Sequence, residues 1–148
     1  MRIYLAARYS RNSEMREVAA YIRARGDEVT SRWINGSHEI GDHPSDEARR
    51  VLAEEDYEDL VRADAVLCFS EEPRSNNSRG GRHVEFGLAL ALNKPLFVIG
   101  PKENVFHYLP GITHYRDVVS AIHAAGSPYK RVQAENGEGS VADGVKLP

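Results

Sequence analysis

Residues 78–95, Ser-Arg-Gly-Gly-Arg-His-Val-Glu-Phe-Gly-Leu-Ala-Leu-Ala-Leu-Asn-Lys-Pro, join a polar loop to an apolar helix. The glycine pair, Gly80 and Gly81, permits backbone conformations and close approaches that other residues cannot make. We expect Glu85 to lie in the first turn of the helix, where unpaired N–H groups favour negative charge and attract phosphates. The segment is therefore a candidate for holding a charged nucleophile or binding an anion. A solvated glutamate that offsets the helix dipole is the alternative.

Composition predicts one ordinary globular domain. The chain has 148 residues and a formal net charge of −3, which gives no reason to expect non-specific nucleic-acid binding. The first strand follows Met1 directly and no apolar run is long enough to span a membrane, so we expect a cytoplasmic protein without a leader. The single cysteine, Cys68, lies in an apolar run and is expected to pack in the core.

Short apolar runs alternate with amphipathic segments along the chain. Strands are predicted over 2–7, 28–34, 64–69, 96–100 and 112–115. Helices are predicted over 14–25, 45–63, 83–93 and 116–125. This alternation indicates an α/β fold, a flavodoxin-like three-layer sandwich with a parallel sheet of about five strands. Residues 1–126 are expected to form this domain, and the polar stretch 127–148 to be a flexible tail.

Several common catalytic classes lack support in the sequence. The six histidines show no metal-ligand spacing. There is no Gly-x-Ser-x-Gly elbow, no Walker-type loop and no Gly-x-Gly-x-x-Gly after the first strand. We therefore expect neither a metal nor a cofactor.

Two acids remain as candidates, Glu85 and Asp56, on helices whose ends can face one crevice. Ligands of parallel sheets bind beyond the carboxyl ends of the strands, so function is sought in the loops there. A carboxylate nucleophile with a second carboxyl group about 5 Å away is the equipment for glycosidic bond cleavage through a covalent intermediate. The departing nucleobase needs a proton, which is work for a general acid.

Three segments carry a resemblance to a known family. Residues 3–7 read Ile-Tyr-Leu-Ala-Ala, and residues 56–64 fit Asp-x-x-x-Leu-x-x-x-Asp. Residues 84–91 read Val-Glu-Phe-Gly-Leu-Ala-Leu-Ala and are followed by Lys-Pro. In combination they resemble the nucleoside 2-deoxyribosyltransferase superfamily, which includes 2'-deoxynucleoside 5'-phosphate N-hydrolases and pyrimidine nucleotide N-glycosidases. The resemblance covers roughly residues 1–125.

The resemblance implies roles for particular residues. Glu85 would be the nucleophile that attacks C1' of the sugar, Asp56 the acid/base residue or sugar-hydroxyl partner, and Tyr4 the neighbour that orients the nucleophile. Trp33 would contact the base, or it is an ordinary buried tryptophan. The family also implies a homodimer or higher homo-oligomer with shared sites, to which a segment beginning at Asn104 would contribute.

The loops of this sequence depart from the pattern of transferases that act on free nucleosides, which tend to carry acids before the nucleophile. Arginines, hydroxyls and glycine N–H groups, which suit phosphate, occur here instead. The candidate substrate-binding residues in these loops are Ala7, Arg8, Ser10, Arg11, Ser78, Arg79, Gly80, Gly81 and Arg82. We therefore hypothesise that a 5'-monophosphate is accepted, which would favour hydrolysis over base exchange. The alternative is that the arginines pair with surface acids such as Glu71 and Glu72.

The expected partners are a nucleoside or nucleotide substrate and a free nucleobase as acceptor, with no nucleic acid and no membrane. A lysine-decarboxylase-like phosphoribohydrolase is a second enzymatic interpretation. Its Gly-Gly-x-Gly-Thr-x-x-Glu signature is not met, because Glu85 follows Gly81 too closely. A non-catalytic nucleotide-sensing module with the same sheet is the third.

Overall fold

A computed structural model describes residues 1–36, 45–72 and 80–126 of the chain. Five parallel strands form one sheet in the order β2-β1-β3-β4-β5. The strands are β1 (Arg2–Ala6), β2 (Glu28–Val29), β3 (Ala65–Phe69), β4 (Leu96–Ile99) and β5 (Thr113–Tyr115). The helices are α1 (Asn12–Ala24), α2 (Asp46–Arg62), α3 (Gly81–Ala91) and α4 (Val118–Ala125). The predicted flavodoxin-like α/β sandwich is thus confirmed.

The strand order sets the layers of the sandwich. From β1 the chain steps to one side to form β2, and then returns to the other side to form β3, β4 and β5. Because crossovers between parallel strands are right-handed, α1 lies on one face of the sheet and α2 and α3 lie on the other. Accordingly, α2 packs against α3. On the opposite face, side-chain nitrogens of Arg25, just after α1, and His123 of α4 lie 3.3 Å apart.

The core lies at the centre of the sheet. All residues of β3 and β4 are buried, as continuous apolar runs in a doubly covered parallel sheet should be. Helix α1 buries Met15, Val18, Ala19 and Ile22, the face that a period of 3.6 residues predicts. Cys68 is 2% exposed, within this core.

The second strand is much shorter than the sequence indicates. It ends at Val29, and a single turn of 3₁₀ helix occupies Arg32–Asn35 where the strand was predicted to continue. Side chains satisfy the backbone of β1 in place of strand pairing: Leu5 N–H donates to Ser31 Oγ at 2.7 Å. The strand prediction over 28–34 was therefore wrong in its second half.

Helix α3 starts immediately after Gly80, which has a φ of 83° and so occupies the left-handed region that favours glycine. Gly81 is the first helical residue, which makes Glu85 the fifth. The expectation that Glu85 lies in the first turn was wrong, since the first turn contains no acidic residue.

The predicted flexible tail, 127–148, lies outside the described residues. Within the described residues, no helix is long and apolar enough to cross a membrane.

Lys94 ties helix α2 to the segment between α3 and β4. Its ammonium group donates to the backbone carbonyls of Val61 and Ala63 at 2.7 and 2.6 Å. The last carbonyls of a helix have no partner within the helix and interact favourably with a cation. Lys94 therefore fixes the end of the helix that carries Asp56.

Replacing Lys94 by methionine removes the ammonium group and keeps an apolar side chain of similar length. We expect Lys94→Met to lower the free energy of unfolding by about 2 kcal/mol, because two charge-assisted hydrogen bonds are lost. Urea denaturation measures the change. The control is Lys102→Met, whose ammonium group lies over the ring of the exposed Tyr108 and should contribute at most about 1 kcal/mol. An equal loss in both variants would contradict the assignment.

Candidate active site

A hydrogen bond between Tyr4 and Glu85 forms the centre of the candidate site. The two residues lie 81 positions apart, and the Tyr4 hydroxyl donates to Glu85 Oε1 at 2.8 Å. Tyr4 is completely buried in β1, whereas Glu85 is partly exposed on α3. A rigid, water-excluded donor thus holds the carboxylate of a half-buried glutamate.

Asp56 approaches the same place from helix α2 and is partly buried. Burial raises the pKa of Tyr4 well above its ordinary value, and the negative charges of Glu85 and then Asp56 raise it further. Tyr4 therefore keeps its proton and acts as a hydrogen-bond donor. The structure brings Tyr4, Glu85 and Asp56 together, as the sequence motifs implied.

The position of Glu85 in the second turn of α3 changes the physical explanation for its charge. Helix-dipole effects decay within the first turn, so they favour an anion at Gly81 more than at Glu85. Among the described residues, a Cβ atom added at Gly80 or Gly81 would meet no atom within 4 Å. The neighbour identified at Glu85 is the Tyr4 hydroxyl, which accounts for its position better than the helix dipole does.

Arg11 and Arg82, two arginines expected to bind phosphate, form ion pairs within the protein. Arg11 contacts Glu14 at 2.7 Å and Glu71 at 3.1 Å, so the surface-acid alternative is observed for this residue. Arg82 is buried and forms an ion pair with Glu103.

The remaining substrate-binding candidates in the loops differ in how far they are buried. Arg8 is partly buried, and it forms no ion pair with the residues that the structure describes. Ala7 is partly buried and Ser10 is exposed in the same loop. The candidates Ser78 and Arg79 lie outside the described residues.

Trp33 has a position that suits packing. It is 4% exposed, its indole N–H donates to the carbonyl of Leu5 at 2.9 Å, and its ring lies 6.3 Å from that of Tyr9. These contacts account for an ordinary buried tryptophan, and a contact with a nucleobase stays a prediction.

No motif or spacing in the sequence indicated the role of Glu103. Its carboxylate accepts hydrogen bonds from Arg82 and, at 3.1 Å, from the backbone N–H of Glu71. Its oxygen also lies 3.6 Å from Nε2 of His83. Glu103 thereby links the loops after β3 and β4 to the first turns of α3.

The neighbouring Asn104 shares in this linkage. Its Nδ2 lies 3.4 Å from His83 Nδ1. Its Oδ1 accepts from the N–H of Phe106 and so caps the 3₁₀ turn Val105–Tyr108.

Across the described residues, no three His, Cys, Asp or Glu side chains are grouped so as to hold a metal ion.

Two solved structures resemble this chain. One is a 2-deoxyribosyltransferase from Bacillus psychrosaccharolyticus, with a TM-score of 0.64 and 19% identity over 89% of this chain and 96% of that one. The other is the CMP N-glycosidase BcmB of Clostridium botulinum, with a TM-score of 0.53 and 18% identity over 84% of this chain and 98% of that one. The chain has the fold of a nucleoside 2-deoxyribosyltransferase. The resemblance that the motifs indicate is thus confirmed at the level of the fold. Comparison of the sequence with models of protein families and with curated proteins finds no match.

The raised pKa of Tyr4 predicts a pH dependence of stability. Its stabilising contribution is fully present below the pKa of an unfolded tyrosine, about 10, and is lost as pH rises toward the folded value. We therefore expect the free energy of unfolding to fall above pH ~10 more steeply in the natural protein than in Tyr4→Phe, by up to about 1.4 kcal/mol per pH unit. Urea denaturation across this range measures both slopes. Tyr57→Phe, at an exposed tyrosine, should keep the natural slope, and equal slopes for Tyr4→Phe would refute the prediction.

Proposed function

We propose that the protein cleaves the N-glycosidic bond of nucleosides or of their 5'-monophosphates, with Glu85 as the nucleophile. The observation that carries this proposal is the hydrogen bond from the buried Tyr4 to the partly exposed Glu85, with Asp56 close by. The fold supports it, because the two similar structures are a 2-deoxyribosyltransferase and a CMP N-glycosidase.

In the first step, a carboxylate oxygen of Glu85 attacks C1' of the sugar. The C1'–N bond breaks, its electron pair leaves with the base, and a glycosyl ester forms on Glu85. Oε1 of this carboxylate accepts a hydrogen bond from Tyr4. The donor fixes the carboxylate in one orientation, so fewer of its conformations are unproductive.

Asp56 is assigned to proton transfer to the departing base or to a hydrogen bond with a sugar hydroxyl. The raised pKa of Tyr4 makes this phenol a poor acid that does not give up its proton, which leaves the carboxyl groups to exchange protons. In the second step, water or another nucleobase attacks C1' and releases the Glu85 carboxylate. How well the site holds an acceptor base determines whether the sugar is transferred or hydrolysed.

We further assign a homo-oligomeric state to the protein. The 3₁₀ turn beside Asn104 presents Val105, Phe106 and Tyr108 with relative exposures of 77, 59 and 65%. Large apolar side chains exposed together at the edge of a site favour an interface. A second copy of the chain would cover them.

Glu85→Gln tests the nucleophile and also distinguishes an enzyme from a sensor. We expect turnover of a panel of deoxynucleosides and monophosphates to fall by at least about 10³-fold, because an amide cannot form the ester, while substrate binding by calorimetry persists. Mass spectrometry of the natural protein with a 2-fluoro sugar substrate should show an adduct on the peptide that contains Glu85. Ligand binding without turnover in the natural protein would favour the sensor.

Arg8→Met tests whether a 5'-phosphate is recognised. With Arg11 and Arg82 held in ion pairs, we assign the phosphate contact to Arg8 together with the amino end of α3. We expect kcat/KM for a deoxynucleoside 5'-monophosphate to fall about 10- to 100-fold, the equivalent of one charge-assisted contact, and that for the nucleoside to change little. Arg23→Met, on the exposed part of α1, is the control. Equal rates for nucleoside and monophosphate in the natural protein would refute the phosphate assignment.

A further inference from the structure

Arg82 is a buried cation on the same helix as Glu85. Its side chain is 2% exposed, and it precedes Glu85 by three residues on α3. Side chains three apart on a helix are neighbours, with Cβ atoms about 5–6 Å apart. A guanidinium in this position is therefore within electrostatic reach of the proposed nucleophile.

Glu103 supplies the opposite charge from another part of the chain. It follows β4, its side chain is 11% exposed, and it forms an ion pair with Arg82. The N–H of Glu71, 3.1 Å away, donates to its other oxygen. Removing one partner of a buried ion pair leaves an uncompensated charge, which is costly and acts strongly on its surroundings.

The charges of Glu85, Arg82 and Glu103 all act on the buried thiol of Cys68. Burial and then the negative charge of Glu85 raise the pKa of the Cys68 thiol to about 12, while Arg82 lowers it and Glu103 raises it. Cys68 is at the carboxyl end of β3, below α3. Glu85, Arg82 and Glu103 thus all influence one buried region, where charges are screened less than in water.

We propose that Glu103 is a positioning residue that neutralises Arg82 and so keeps the Glu85 carboxylate available for nucleophilic attack. The catalytic meaning of this inference rests on the function proposed above. Without the charge of Glu103, the guanidinium of Arg82 would attract the carboxylate of Glu85 more strongly, since Glu85 lies three residues further along the same helix. Glu103 acts through Arg82 and does not touch the substrate.

Two substitutions with opposite signs test the proposal. Glu103→Gln retains the size of the side chain and removes the negative charge that pairs with Arg82, so we expect the Glu85 carboxylate to be stabilised and to lose its proton at lower pH. Arg82→Met leaves the charge of Glu103 uncompensated, so Glu85 loses its proton at higher pH. The double variant restores neutrality and should return toward the natural value. Among the residues that the structure describes, Tyr4 contacts Glu85 directly, and Asp56, Arg82 and Glu103 act with Glu85 on the buried Tyr4 hydroxyl or the buried Cys68 thiol.

The measurement is an NMR titration of the Glu85 carboxyl carbon in protein labelled at glutamate, with the resonance assigned through Glu85→Gln. We expect the midpoint to move by about one pH unit, downward in Glu103→Gln and upward in Arg82→Met. The acidic limb of kcat/KM should move in the same directions, and kcat should fall about tenfold in Glu103→Gln. Glu103→Asp, which keeps the charge, should restore most of the natural midpoint.

Glu47→Gln is the matched control, because it removes one charge from the exposed Arg50–Glu47 pair at the start of α2; its midpoint should not move. If Arg82→Met does not fold, the comparison of Glu103→Gln with this control decides. An unchanged Glu85 midpoint in folded Glu103→Gln overturns the proposal. The titration needs no turnover: shifted midpoints without cleavage by the natural protein would refute the proposed function alone, and cleavage with unshifted midpoints would refute the role of Glu103 alone.

Discussion

The hydrogen bond between Tyr4 and Glu85 is the interaction on which the candidate site depends. It joins a fully buried phenol in an inner strand to a carboxylate on a helix that covers the same sheet. Burial and the nearby acids hold the proton on Tyr4, so the direction of the bond is fixed with the phenol as donor. The carboxylate of this half-buried glutamate is thereby held in place by the core.

Charge pairing organises the carboxyl edge of the sheet around this bond. Arg11 bridges the first loop to Glu71 after β3, and the N–H of Glu71 donates to Glu103 after β4. Glu103 then pairs with Arg82 at the start of α3. Residues that suit phosphate recognition by type are thus used to bind the loops to one another. The arrangement shows why the chemistry of a side chain does not by itself identify its ligand.

Two predictions failed for identifiable physical reasons. The strand predicted beyond Val29 is absent because the side chains of Ser31 and Trp33 bind the backbone of Leu5. The buried carboxylate of Asp59 contributes by accepting from the N–H of Arg32 at 2.8 Å. Such contacts join segments that are distant in sequence, so local alternation cannot reveal them. Glu85 was predicted in the first turn of α3 but lies in the second, because the helix already begins at Gly81.

The sequence alone determined the α/β class, the parallel sheet and the candidates Glu85 and Asp56, and its resemblance to the nucleoside 2-deoxyribosyltransferase superfamily implied that Tyr4 joins them. Periodicity and motif spacing are local properties, so they can be recognised in the sequence without knowledge of the packing. Tertiary structure alone decided that Arg82 and Arg11 are engaged by acids and that Glu103 is central to the loops. The reason is that an ion pair depends on which distant residues the strand order brings together, and no spacing along the chain encodes that distance.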